Sequence, residues 1–138
     1  MADDLKRVLK KLRRFGVDTN RAIDQTIRLT ALKVQSTAVN SMRTPSEGRQ
    51  YIRGTVKHTA SREGDAPNVD TGRLVGSVRI EHQQGSQVAY VGTDLDYGAY
   101  LELLKDRPWL TPALQANEDD FLKNLESSID RQIKQADQ

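Results

Sequence analysis

The chain of 138 residues has no cysteine, and only 5% of it is aromatic. The first absence excludes disulfides and thiolate metal sites. The second, together with a hydrophobic share of only 36%, predicts a thin core. No apolar run approaches the roughly 20 residues that cross a bilayer, so no membrane partner is expected. Met1 to Leu12 is charged and lacks an apolar stretch, so no secretory leader is expected either. Histidine is scarce as well. His58 and His82 stand at no zinc-ligand spacing from clustered carboxylates, which predicts two solvent-facing imidazoles and no metal. The length fits one domain, residues 1–138, whose polar surface finishes its burial against neighbours.

Charge is what the chain has in quantity, at 29% of residues. The net +2 hides an asymmetry: residues 1–16 carry six Lys/Arg against Asp3 and Asp4, while residues 74–138 carry six Lys/Arg against eleven Asp/Glu. Opposite-signed ends suit head-to-tail contact between copies, or a basic surface facing nucleic acid.

Periodicity predicts an α+β fold. Leu5, Val8, Leu9, Leu12 and Phe15 fall at helical spacing, with Gly16 as a stop. Asp18 or Thr19 then caps a second helix, near 19–42, whose stripe is Ile23, Ile27, Ala31, Val34, Ala38 and Met42. These two N-terminal helices form a helical part, 1–42. Residues 43–71 lose the period and read as a long basic loop carrying Arg43, Arg49, Arg53, Lys57 and Arg62. Within it, Tyr51-Ile52-Arg53 and Thr55-Val56-Lys57 could pair as a short hairpin.

Residues 72–138 read as an antiparallel hairpin plus a closing helix. Leu74, Val78 and Ile80 mark one face of a strand near 73–82. After the Gln83–Ser86 turn, Val88 and Tyr90 give the same parity on a return strand near 87–93. A short helix near Tyr97–Leu104 follows. The long C-terminal helix, begun at Pro108 or Pro112 with Asp106 or Thr111 as cap, carries Leu114, Phe121, Leu125, Ile129 and Ile133 and should pack on the small sheet.

Chemistry is harder to find. Gly72-Arg73-Leu74-Val75-Gly76 lacks the Gly-Lys-Ser/Thr of a phosphate loop, and Ser77 is not in a Gly-x-Ser-x-Gly elbow. Asp70-Thr71-Gly72 reads as a structural turn closed by the Asp. Neither catalytic residues nor a cofactor are expected. Lys and Arg can neutralise phosphates without a motif, so non-specific contact with duplex DNA is compatible with the basic segments. The scarcity of stacking aromatics argues against sequence-specific reading. Tyr97, Tyr100 and Trp109 are candidates for the core or for a subunit interface.

Four stretches in order resemble the tail-completion, or neck, family of long-tailed double-stranded DNA phages. They are Ala60-Ser61 with Gly64-Asp65-Ala66-Pro67; Asp70-Thr71-Gly72-Arg73-Leu74 with Ser77; Tyr97 with Ala99-Tyr100 and Glu102; and Arg107-Pro108-Trp109-Leu110-Thr111-Pro112-Ala113. The likeness spans roughly residues 60 to 125. Gly98 stands where the family more often has Ala, and Leu103-Leu104-Lys105-Asp106 replaces a Phe-Gly-Thr-type turn and a longer loop. The resemblance implies a structural virion protein, not an enzyme, that forms a closed ring, six-fold in preference to twelve-fold. Such a ring joins the tail to the DNA-filled head, with a head-closure or adaptor ring above and a tail terminator or tail tube below. The expected location is the head–tail junction of the virion, and the host cytoplasm during assembly. Two alternatives are a tail terminator or head-closure protein of the same junction, and a small non-specific DNA-binding protein. The resemblance makes Leu74, Tyr97, Tyr100, Glu102, Arg107, Pro108 and Trp109 core or interface residues. The basic loop is expected to face packaged DNA or a neighbouring ring.

Overall fold

In a computed structural model, residues 2–44, 50–53, 56–59, 61, 63–68 and 72–137 are described. A single helix, α1, runs from Ala2 to Arg43. At about 1.5 Å per residue it is roughly 63 Å long. The two expected N-terminal helices are therefore one. Gly16 is not among the glycines with positive φ, so it forms no left-handed stop. A glycine inside a helix costs only about 1 kcal/mol relative to Ala, and the flanking turns offset this. Asp18, expected as a cap, instead lies between Arg14 (4.0 Å) and Arg21 (3.9 Å) at helical spacing. Thr19, the other expected cap, is inside the helix, its buried hydroxyl without a partner among the described residues.

Helix α4, Thr111–Ala136, lies antiparallel along α1. Two polar contacts fix its register: Asn117 Nδ2 donates to Thr37 Oγ1 at 3.1 Å, and Thr26 Oγ1 and Ser128 Oγ are 3.0 Å apart. This corrects the expectation that the C-terminal helix packs on the sheet; its main partner is α1. On this register α4 ends near Asp18, so residues 2–14 of α1 extend past it as an arm.

Two hairpins complete the chain. β1 (Gln50–Arg53) and β2 (Val56–Thr59) pair antiparallel with Ile52 opposite Lys57. The stretch expected as a structureless basic loop thus contains a hairpin where its two strand-like triplets lie. β3 (Arg79–His82) and β4 (Ala89–Gly92) pair antiparallel and pack on α1. The expected strand over 73–82 is shorter. Its first half is the helical turn α2, Arg73–Ser77, entered from Gly72 at φ 79. Leu74 and Val78 are both buried. Their separation of four suits one turn of helix as well as strand alternation, so the spacing could not distinguish the two.

The return-strand parity also differs from expectation. Ile80 faces Val91 and His82 faces Ala89, leaving Tyr90 and Glu81 on the outer face. The extra residue is absorbed in the connection, where Gln87 takes φ 57. α3, Asp96–Leu103, occupies the expected place of the short helix.

The core is small and lies near the C-terminal end of α1. Val34, Ala38 and Met42 meet Leu74, Val78, Leu101, Trp109 and Ala113. Gln35 reaches across to donate to Val78 O at 2.9 Å, tying α1 to the entry of β3.

Candidate functional site

The stretches carrying the family resemblance converge around Trp109. Trp109 is 2% exposed, and its indole N–H donates to Gly98 O at 2.9 Å. Gly98 permits this approach. A Cβ there would lie 2.6 Å from Thr93 Cγ2 and 3.0 Å from Leu74 Cδ1, so the residue that departs from the family pattern is the one the packing demands. Gly64, at φ 85, donates to Asp106 O at 2.7 Å, and Ala66 packs against the core. Ser61 is buried.

Glu102 joins the Tyr-x-Glu and Arg-Pro-Trp stretches into one device. Its Oε2 accepts the backbone N–H groups of Trp109 (2.6 Å) and Leu110 (3.0 Å), and its Oε1 accepts that of Thr111 (2.9 Å). Thr111 is the first residue of α4 and Leu110 its N-cap, so the carboxylate satisfies donors at the helix start that have no intrahelical partner, together with that of Trp109 just before it. The expected caps, Asp106 and Thr111, are not used; Thr111 is already helical, and Pro112 lies just inside the start. Burial pushes the Glu102 carboxyl up, but the Thr111 hydroxyl and the backbone donors outweigh it and hold it below the usual carboxylate range. Glu102→Ala is expected to cost about 1–2 kcal/mol, the scale of a lost cap, with solvent at this partly exposed end limiting the loss. Urea titration checks this; an unchanged midpoint would remove the capping role.

Arg107 closes the other side of the same loop. Its backbone N–H donates to Leu101 O at 2.9 Å, and its guanidinium donates to Lys105 O at 3.0 Å. Pro108 is half-buried beside it. Tyr97 and Tyr100, expected in the core or at an interface, are not core: they are 58% and 41% exposed. The buried positions of α3 are Gly98 and Leu101, which turns both tyrosines outward. Leu103 and Leu104 beside them are 77% and 74% exposed. Lys105 Nζ lies 5.6 Å from the Tyr100 ring centre.

A second cluster has no counterpart in the sequence reading. Asp24 on α1 is buried and accepts from Gly85 N (2.9 Å), Gln87 N (2.8 Å) and His82 Nε2 (2.9 Å). His82 is therefore not a solvent-facing imidazole; it donates through Nε2–H. The Gly85 amide first, then the His82 ring, hold the Asp24 carboxyl below its usual range. The cluster clamps the β3–β4 turn to α1. A carboxylate and an imidazole are two parts of a triad, but among the described residues no hydroxyl bonds the other ring nitrogen. No group among the described residues could hold a metal ion, and no described helix is long and apolar enough to cross a membrane.

Of the remaining expected site residues, Gly72 takes the left-handed turn conformation, while Asp70 and Thr71 lie outside the described residues. Arg43 is exposed at the end of α1, Arg53 and Lys57 lie in the β1–β2 hairpin, and Arg49 and Arg62 lie outside the described residues. The six cations of the α1 arm are exposed along with Leu5 (61%) and Leu12 (60%). Compared with known proteins, the chain matches no family model, no curated protein and no solved structure.

Proposed function

We propose that the chain is a structural protein of a phage neck, a tail-completion subunit that forms a ring joining tail to head and performs no catalysis. The order of the four resembling stretches supports this reading, and so does their convergence on Trp109. The observation that carries it is the surface of α3 and its following turn. Tyr97, Leu103 and Leu104 project outward at 58%, 77% and 74% exposure. Adjacent exposed apolar side chains of this size mark an interaction surface, and Leu103 and Leu104 fall where the family pattern has a Phe-Gly-Thr-type turn and a longer loop. The same polar composition that leaves the core thin leaves these residues for neighbours to cover.

The reading is tested in particles. Electron microscopy of virions carrying a tagged copy is expected to place the tag between portal and tail tube, and the protein is expected in purified particles. Finding it only in the soluble lysate, absent from purified particles, would sink the proposal. The exposed cations of the α1 arm favour non-specific duplex contact as a secondary property of the same protein.

A further inference from the structure

The apolar face of α1 extends from its packed part into the arm, broken at Gly16, Thr19 and Asn20. Leu5, Val8, Leu9 and Leu12 lie on the same helix face as Ile27, Ala31 and Val34. Beyond the end of α4 nothing among the described residues covers that face. Leu5, Val8, Leu9 and Leu12 are 61%, 52%, 43% and 60% exposed. Further along, α4 and β4 both sit on α1 but leave an apolar groove between them. Its floor is Ile27, Ala31 and Val34, and its walls include Val91, Leu114 and Phe121.

The arm cannot fill its own groove. Leu9 and Ala31 are on one continuous helix, about 33 Å apart at 1.5 Å per residue. Pairing of two arms is opposed by charge, since each carries six cations against Asp3 and Asp4. The groove offers the opposite sign. Glu118 follows Leu114 by one turn of α4 and shares its face, and residues 74–138 carry eleven acids against six cations. An apolar stripe flanked by Lys and Arg therefore has a complementary apolar site, with Glu118 at its α4 wall in the net-acidic half of the chain, available only on another copy.

The geometry points to the α1 arm of one copy seating in the α4–β4 groove of a second copy. A reciprocal exchange closes a dimer; a sequential one closes a ring. The sequential form rests on the neck reading, whereas the contact itself does not.

The absence of cysteine gives a clean test. In the full chain, Leu9→Cys with Leu114→Cys is expected to form disulfides between copies on oxidation, and neither single variant is expected to form this heterotypic link. Light scattering across a concentration series is expected to show wild-type oligomers. Leu5→Glu with Leu9→Glu in the arm, and Leu114→Arg in the groove, are each expected to weaken association at least about tenfold. At concentrations low enough to keep the wild type monomeric, their melting temperatures should match the wild type, because all three positions are exposed in the single chain. Lys10→Glu paired with Glu118→Lys is expected to associate better than either alone. A monomeric wild type overturns the proposal. So does an oligomer that survives both the arm and the groove variants, or a wild type that stays monomeric while floating with phosphatidylglycerol vesicles. Cross-linked dimers with no larger closed species leave the contact standing and remove the ring. A ring that persists without the arm contact does the reverse.

Discussion

Trp109→Ala is expected to lower stability by about 3–5 kcal/mol, the range for deleting a large buried aromatic. Three features place it there. The side chain is 2% exposed in a core with few large residues, so there is little nearby material to relax into the gap. Its indole N–H donates to Gly98 O in the buried core, and that hydrogen bond is lost with the ring. It also sits at the start of α4, where Glu102 holds the backbone N–H groups of Trp109 and its two successors. A domain of ordinary stability has about 5–15 kcal/mol in total, so the variant loses a large share. Thermal unfolding is expected to shift down by about 10–20 °C. Trp109→Phe separates the contributions: it keeps most of the apolar contact and loses the N–H, costing about 1–3 kcal/mol. A near-wild-type melting temperature for Trp109→Ala would show that this residue does not hold the core.

Which parts of this were legible in the sequence follows from how local their causes are. The stripe from Ile23 to Met42 is local, and the helix it predicts is present. Trp109 as a core residue was one of two readings, because a lone Trp among few aromatics suits either a core or an interface. The Gly16 stop failed because it weighed a small local cost without the turns on either side. Leu74 and Val78 fit a strand and a helical turn alike, because a separation of four serves both periods. The α4 cap was missed for a different reason. Glu102 reaches the helix start only because Asp106 takes φ 48 and turns the chain back, which no spacing rule encodes. The two stretches looked like separate motifs and are one hydrogen-bonded unit. Tyr97 and Tyr100 suit either a core or an interface because they are aromatic, and the core half of that reading fails because the smaller Gly98 and the aliphatic Leu101 take the inward face.

The exposed surfaces follow from the same shortage of apolar residues. With the core limited to the C-terminal end of α1, the chain retains apolar stripes on the α1 arm, on α4 and on the turn after α3. Burial that a larger domain would complete internally is left incomplete in the single chain. In the proposed arm-in-groove contact, assembly would be coupled to folding, because the walls of the α4–β4 groove must be held in place before a neighbour can use them. Glu102 anchors the start of one wall, and Asp24 anchors the hairpin that forms the other.

Asp24→Ala is accordingly expected to release the β3–β4 hairpin from α1. Three donors lose their acceptor together: Gly85 N, Gln87 N and His82 Nε2. The bonds are partly shielded from water and all fall at one short connection, so their joint loss loosens it. The melting temperature is expected to fall by more than about 5 °C. The amide hydrogens of Gly85 and Gln87 are expected to exchange much faster, ahead of those in the α1–α4 interface. Acid should reproduce part of this in the wild type. The folded-state pKa of Asp24 is depressed, by the Gly85 amide first and then by His82. Its stabilisation is therefore fully present above the unfolded-state value, about pH 4. It is lost as pH falls through the lower folded-state value. Glu102 is depressed in the same direction and adds to the same acid limb. Asp24→Asn is expected to flatten part of that limb while lowering stability at neutral pH. Unchanged exchange at Gly85 and Gln87 in Asp24→Ala would mean that the hairpin is held by its apolar contacts, Ile80 and Val91, and not by the clamp.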